Sequence, residues 1–190
     1  MGNLLQKEKK SEIDCIRMFQ VPLFLIQCEK WRSKKTKLLT LFSNLSLNDF
    51  HSKNLKTDFH NGICASQDQD LEKIFSKELD LLKKELCVPN LKISRSWFEK
   101  TEQGGSHGIH NHGATGYSAV CFVEYDSKEH TGTRFVSPFN NFLTGNALTF
   151  HTIVEEGTLI FFPSVILHYT ETNFSKKPRL IVSFNLQICN

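Results

Sequence analysis

At Leu91 the hydrophobic repeat of this chain changes from 3.6 residues to 2, and that change limits its fold more than any other feature. Leu91, Ile93, Arg95 and Trp97 alternate with Lys92, Ser94, Ser96 and Phe98, the pattern of a strand. Further strands are predicted at 117–125, 133–137, 148–153, 158–162 and 179–187. Gly104-Gly105, Asp126-Ser127-Lys128, Gly145-Asn146, Glu155-Glu156-Gly157 and Lys176-Lys177-Pro178 separate them as turns. Upstream, an apolar stripe of Leu71, Ile74, Phe75, Leu79, Leu82 and Leu86 predicts a helix that packs on a sheet, opened by a Ser66–Gln69 capping box and stopped by Pro89. Trp31, Leu38, Leu41, Phe42 and Leu45 predict another helix over 29–45, preceded by a strand over 19–26 that Pro22 assigns to an edge. The stretch 46–65 is polar, lacks clear periodicity and reads as a loop region with room for one short element. The fold class is mainly β with supporting helices, an antiparallel sandwich or barrel.

With 190 residues and no internal repeat or linker, one domain over 19–190 follows a polar lead over 1–18, itself loose or a short helix. The net charge of +3 comes from lysine clusters at 7–10 and 30–37 without interleaved aromatics, so nucleic acid is not indicated. Six cysteines stand apart with no C-x-x-C pair, which argues against zinc ribbons and redox dithiols and for reduced thiols in a cytoplasm. The first residues are polar, unlike a signal peptide. Met1-Gly2 fits a myristoylation signal only until Gln6, and the longest apolar run, 21–26, is too short to cross a membrane.

Chemistry concentrates at Ser106-His107-Gly108-Ile109-His110-Asn111-His112-Gly113, which holds three of the eight histidines. On an extended strand His110 and His112 share a face, half of a metal site. Read alone, the pair is as well explained by surface histidines in a glycine-rich loop. His168 follows the tight Phe162-Pro163-Ser164 turn, where a side chain can be aimed back into a barrel. Arg179 then opens the last strand, with Ile181, Ser183 and Asn185 on its face. An arginine inside a sheet is expensive without a carboxylate partner; one at the strand's end could simply face water. His107, His130 and His151 are expected to be exposed or to stand behind the ligands, Trp97 to be core, and Arg95 to make an ordinary salt bridge or a second anion contact.

In this order, His110-Asn111-His112, the Phe161-Phe162-Pro163-Ser164 turn, His168 and the strand from Arg179 resemble the Fe(II)/2-oxoglutarate-dependent oxygenases. With Val21-Pro22-Leu23-Phe24, Ser96-Trp97-Phe98 and Ser118-Ala119-Val120, the set is most similar to a 2OG-Fe(II) oxygenase family of bacteria and their large viruses, over about 19–187. The resemblance implies a double-stranded β-helix, a cupin-like jelly-roll, with Fe(II) held by His110 and His168. It implies that Arg179 binds the distal carboxylate of 2-oxoglutarate, with Ser183 beside it and Asn185 close to the metal. O2 is the co-reactant. The implied reaction is hydroxylation, in the cytoplasm of a bacterium or a phage-infected host.

Two positions depart from the family pattern. His112 stands where the usual triad has a carboxylate, so either it ligates as a third neutral group or its place is left to water or to another residue such as Glu124 or Asp126. Phe122 stands where a tyrosine often holds the cosubstrate, a role that then falls to Tyr117 or Ser118. Two rival readings follow: a three-histidine cupin-type dioxygenase without 2-oxoglutarate, and a non-catalytic metal-binding jelly-roll module. The substrate is a small molecule or a protein side chain, no membrane is involved, and the edge near Pro22 allows a homodimer.

Overall fold

The computed structural model describes residues 20–62 and 64–189, so the lead over 1–18 lies outside the described residues. The elements are β1 (Phe24–Gln27), α1 (Trp31–Ser43), β2 (Asn48–Phe50), β3 (Ser52–Thr57), a 3-10 turn (Phe59–Asn61), α2 (Ala65–Ile74), α3 (Ser76–Leu86) and β4 (Asn90–Thr101). The second half runs β5 (His107–His110), β6 (Tyr117–Glu124), β7 (Arg134–Val136), β8 (Thr149–His151), β9 (Thr158–Pro163), β10 (His168–Thr170) and β11 (Arg179–Cys189). Two sheets form, a seven-stranded one ordered β1-β9-β6-β11-β4-β3-β2 and a four-stranded one ordered β5-β10-β7-β8. Their ladders are antiparallel.

The large sheet is covered on both faces, which explains why its central strands are nearly continuous apolar runs. One face carries Phe98, Ala119, Cys121, Phe161, Val182 and Phe184 against Leu38, Leu71, Phe75, Leu79 and Leu82 of the helices. The other carries Val120, Phe122, Ile160, Phe162 and Ile181 toward Phe135 and Ile166 on the small-sheet side. The fully buried leucines and phenylalanines among them each contribute roughly 1.5–3 kcal/mol relative to exposure. β1 is an edge strand, as Pro22 predicted.

Four local expectations change. The stretch read as loop contains the β2–β3 hairpin, which pairs with β4 through Leu55↔Thr101, Lys56↔Lys100 and Thr57↔Glu99. Its outer position leaves most of it exposed, so no apolar alternation marks it. The single helix expected over 66–87 is two, broken at the fully buried Phe75. Its capping box does not form: the helix starts at Ala65, Cys64 is the N-cap without a side-chain cap bond, and Ser66 Oγ pairs with Cys64 Sγ at 3.3 Å. Finally, the alternation from Leu91 to Trp97 is interrupted. Asn185 pairs with Arg95 but Leu186 pairs with Ile93, so Ser94 is an extra residue in β4. The bulge puts Leu91 and Ile93 on the helix side and Arg95, Trp97 and Glu99 on the inner face.

Candidate active site

Antiparallel pairing brings the histidines together. His110 at the end of β5 stands directly opposite His168 of β10. His112 lies just past β5, not on it, and its backbone N–H donates to Ser164 O at 2.9 Å. Ser164 is also anchored by its own N–H to Gly116 O at 3.0 Å, and its hydroxyl shares a hydrogen bond with Ser118 Oγ at 2.8 Å. Gly116 has φ +84, and a Cβ there would lie 2.5 Å from Leu186 O, so only glycine carries the chain from the histidine loop into β6. The Phe-Pro-Ser turn thus fixes the loop that carries His112.

One ligand atom from each of His110, His112 and His168 falls within 4.8 Å of the others, with His112 and His110 half-buried and His168 buried. Nδ1 of His110 faces Gly108 O at 2.7 Å, and Nδ1 of His168 faces Ile166 O at 2.9 Å. A nitrogen against a carbonyl must carry the proton, which leaves each Nε2 with a lone pair. Burial, reinforced by the neighbouring imidazoles, pushes His168 down to about 4 and His112 down to about 3. All three rings are therefore neutral at neutral pH, as metal ligation requires. Nδ1 of His112 is buried with no hydrogen-bond partner, an orphaned donor atom that a metal would satisfy.

Arg179 is 2% exposed, and Nε, Nη1 and Nη2 all lack a hydrogen-bond acceptor. Its guanidinium lies 5.5 Å from the Phe122 ring centre, and burial lowers its pKa. A buried guanidinium with its whole fork unpaired is strongly unfavourable unless a carboxylate or phosphate completes it. Arg179 facing water is thereby ruled out. The donor set fits a bidentate carboxylate.

Glu99 was not expected from the sequence. It sits on the inner face of β4, 3% exposed, with Oε2 bonded to His107 Nδ1 at 2.7 Å and Oε1 unpartnered. Burial opposes its charge, but His107, Arg179 and His110 outweigh that and hold its carboxyl below the usual range. His107 in turn stacks on His110, centroids 3.9 Å apart and planes at 12°. A period-2 reading that carried through the bulge could have placed Glu99 beside Trp97; nothing local marked it as part of the site.

The remaining expected residues divide. Ser118 faces inward and donates to Asn185 Oδ1 at 2.9 Å, and Asn185 hydrogen-bonds His112, so both belong to the histidine end. Ser183 is buried on the Arg179 face of β11. Tyr117 does not reach the site: adjacent to Ser118 in a strand, it points to the helix side and packs on Phe24 at 6.1 Å. The tyrosine near Arg179 is Tyr125, whose hydroxyl donates to His130 O at 2.9 Å. Asp126 pairs with Lys177 at 2.8 Å and, with Glu124, lines a different cavity, so neither supplies a carboxylate to the histidines. His130 is buried as a loop pin between Asp126 N and Lys177 O, while His151 is exposed. Trp97 is buried but packs edge-on to His112 at 5.0 Å. Arg95 makes no ion pair within 4.0 Å among the described residues; it stacks on Phe59.

A family model described as "Putative 2OG-Fe(II) oxygenase" matches residues 95–185, the span from the inner face of β4 to Asn185. Over those 91 of the chain's 190 residues it is similar to the 2OG-Fe(II) oxygenases. No curated protein matches the sequence. Among solved structures, a 2OG-Fe(II) oxygenase family oxidoreductase from Burkholderia pseudomallei aligns at TM-score 0.66 and 11% identity, covering 87% of this chain and 84% of that one. HygX from Streptomyces hygroscopicus, crystallised with nickel, 2-oxoglutarate and hygromycin B, aligns at 0.62 and 11%, covering 88% and 83%. The viral collagen prolyl hydroxylase of Paramecium bursaria Chlorella virus-1 aligns at 0.58 and 12%, covering 88% and 96%. At such identities the likeness is one of fold, and that fold is the double-stranded β-helix. The family match and the fold together support an oxidoreductase that uses Fe(II) and 2-oxoglutarate. No helix among the described residues is long and apolar enough to cross a membrane.

Proposed function

We propose that His110, His112 and His168 hold the iron of this oxygenase and that Arg179 takes the distal carboxylate of 2-oxoglutarate, with the reaction a C–H hydroxylation. The chemistry that iron and cosubstrate supply when bound is activation of O2 coupled to decarboxylation. One oxygen atom goes to the substrate as C–OH and the other to succinate, with CO2 released. His110 and His168 present Nε2 because Gly108 O and Ile166 O occupy their other nitrogens. Asn185 orients His112 and is itself held by Ser118. Glu99 supplies the negative charge that a triad carboxylate usually contributes, one residue removed from the ligands and held by His107. Phe122, Val120, Ile160 and Phe162 keep water from the interior behind the site.

The observation that carries the 2-oxoglutarate assignment is the fully unpaired fork of Arg179. The test is an anaerobic Fe(II) titration with and without 2-oxoglutarate, watching for the weak visible charge-transfer band of the chelate. A band that disappears in Arg179→Ala is expected. Iron binding without any band would favour the three-histidine dioxygenase or the non-catalytic module.

The reading extends to a single catalytic domain over 19–190 that acts on a small molecule or a protein side chain. A cytoplasmic setting is supported by Cys28, Cys64, Cys87, Cys121 and Cys189 all being free thiols. Homodimerisation through the β1 edge is supported by the exposed Leu25 on that strand.

A further inference from the structure

Beside the histidines a cavity of about 390 Å³ opens, within the range of small-ligand sites. Its walls are rings. Phe59 meets Trp97 edge-on at 5.1 Å, and Trp97 meets His112 edge-on at 5.0 Å, a row that leads from the 3-10 turn to a proposed iron ligand. Phe50, from the β2–β3 hairpin, meets His107 edge-on at 5.1 Å, and His107 stacks on His110, a second row ending at the same site.

The cavity is also polar in one direction. Arg95 holds its guanidinium 3.7 Å from the Phe59 ring centre and donates from Nη2 to Phe59 O at 2.6 Å, but its Nε is buried without a partner. The acids behind it are committed elsewhere. Asp58 accepts from Phe98 N–H at 2.7 Å and from Gln67, and Asp68 accepts from Ser96 Oγ at 2.5 Å. Both sense the charge of Arg95 and neither pairs with it. Glu99 lies on the same strand face, two residues past Trp97, and its buried carboxylate repels an acid from that end. His51, His107, His110 and His112 are the other titratable groups lining the space.

We propose that this cavity takes as primary substrate a small molecule with a planar ring and one acidic group, the ring lying between the two aromatic rows and the acid on Arg95. The inference rests on the reading of the three histidines as the iron site, since that reading makes this space the place where a C–H bond meets the metal. Ring faces and edges favour a flat, polarisable partner over an aliphatic chain. The planar fork of Arg95, stacked rather than salt-bridged, is shaped to receive a carboxylate or a phosphate.

The test uses the full-length protein, anaerobic, with Fe(II) and 2-oxoglutarate present, and reads tryptophan fluorescence. Trp97 lines the cavity, while Trp31, hydrogen-bonded to Glu156, gives a constant background. Benzoate and phenyl phosphate are expected to perturb the signal, and the tighter of the two identifies the acid. Benzyl alcohol, which lacks the charge, and cyclohexanecarboxylate, which lacks the planar ring, should bind at least tenfold more weakly. Arg95→Gln should weaken both acids at least tenfold, and Arg95→Lys should restore part of the loss. Acids that bind no better than benzyl alcohol, or that are indifferent to Arg95→Gln, overturn the proposal. So does benzoate binding that competes with 2-oxoglutarate and is lost in Arg179→Ala. A charge-transfer band present without ring binding sinks this inference alone; absence of the band in the unaltered protein sinks the reading beneath it.

Discussion

In the proposed iron site each histidine has one nitrogen left free for the metal, and its surroundings keep it neutral. Removing His168 deletes the most buried of them, so His168→Ala should lower Fe(II) affinity by more than the roughly 10–100-fold that outer contacts cost. Retention of full affinity in an anaerobic titration would refute its assignment as a ligand. His112→Asp restores the usual carboxylate; loss of iron on that change would argue that an imidazole is required beside Glu99. Arg179 offers a sharper test, because its buried fork is a cost in the unliganded protein. Arg179→Met keeps the volume and removes the charge. It should raise the thermal midpoint of the metal-free protein while weakening 2-oxoglutarate roughly 100-fold, about 3 kcal/mol. A lower midpoint would mean that the guanidinium has a partner in solution and is not held in reserve for a ligand.

At the scale of elements the decisive device is the bulge at Ser94. Leu91 and Ile93 must face the helices and Trp97 and Glu99 must face the site, and a regular strand cannot do both. Deleting Ser94 should put one half of β4 on the wrong face and abolish cooperative unfolding in a thermal melt. Ser94→Ala, which loses only the bond from Oγ to Asn185 O at 3.3 Å, should cost no more than about 1 kcal/mol. Similar effects of the two changes would show that the register tolerates a slip. A bulge leaves no mark in an apolar pattern that reads as unbroken alternation, which is why the change of face between Ile93 and Arg95 was not legible. The β2–β3 hairpin was hidden for a different reason: its exposed outer position demands no apolar period, so Phe50, which walls the cavity beside the histidines, looked like part of a loop. The stripe from Leu71 to Leu82, by contrast, was correctly legible as core because burial on one side imposes a period.

For the whole molecule, neutral buried imidazoles tie stability to pH. The unfolded chain protonates His168 near 6.5 and the folded chain only near 4, so within that window the unfolded state binds more protons. The metal-free protein should therefore lose stability as pH falls from about 6.5 to 4, and His168→Gln should flatten the decline in denaturant titrations at successive pH values. An unchanged slope would place the titration elsewhere. The sequence by itself determined the class of fold, the order of most strands, the three histidines and the arginine on the last strand, because apolar period, turns and residue order are local properties. Only the tertiary structure decided that Tyr117 turns away, that Asp126 is spent on Lys177, and that Glu99, His107 and Arg95 gather round the histidines. Those facts depend on which face a strand presents after a bulge and on which strands pair across the sheet. Contacts between Glu99 and His107, or between His110 and His168, join residues through space that no spacing along the chain records.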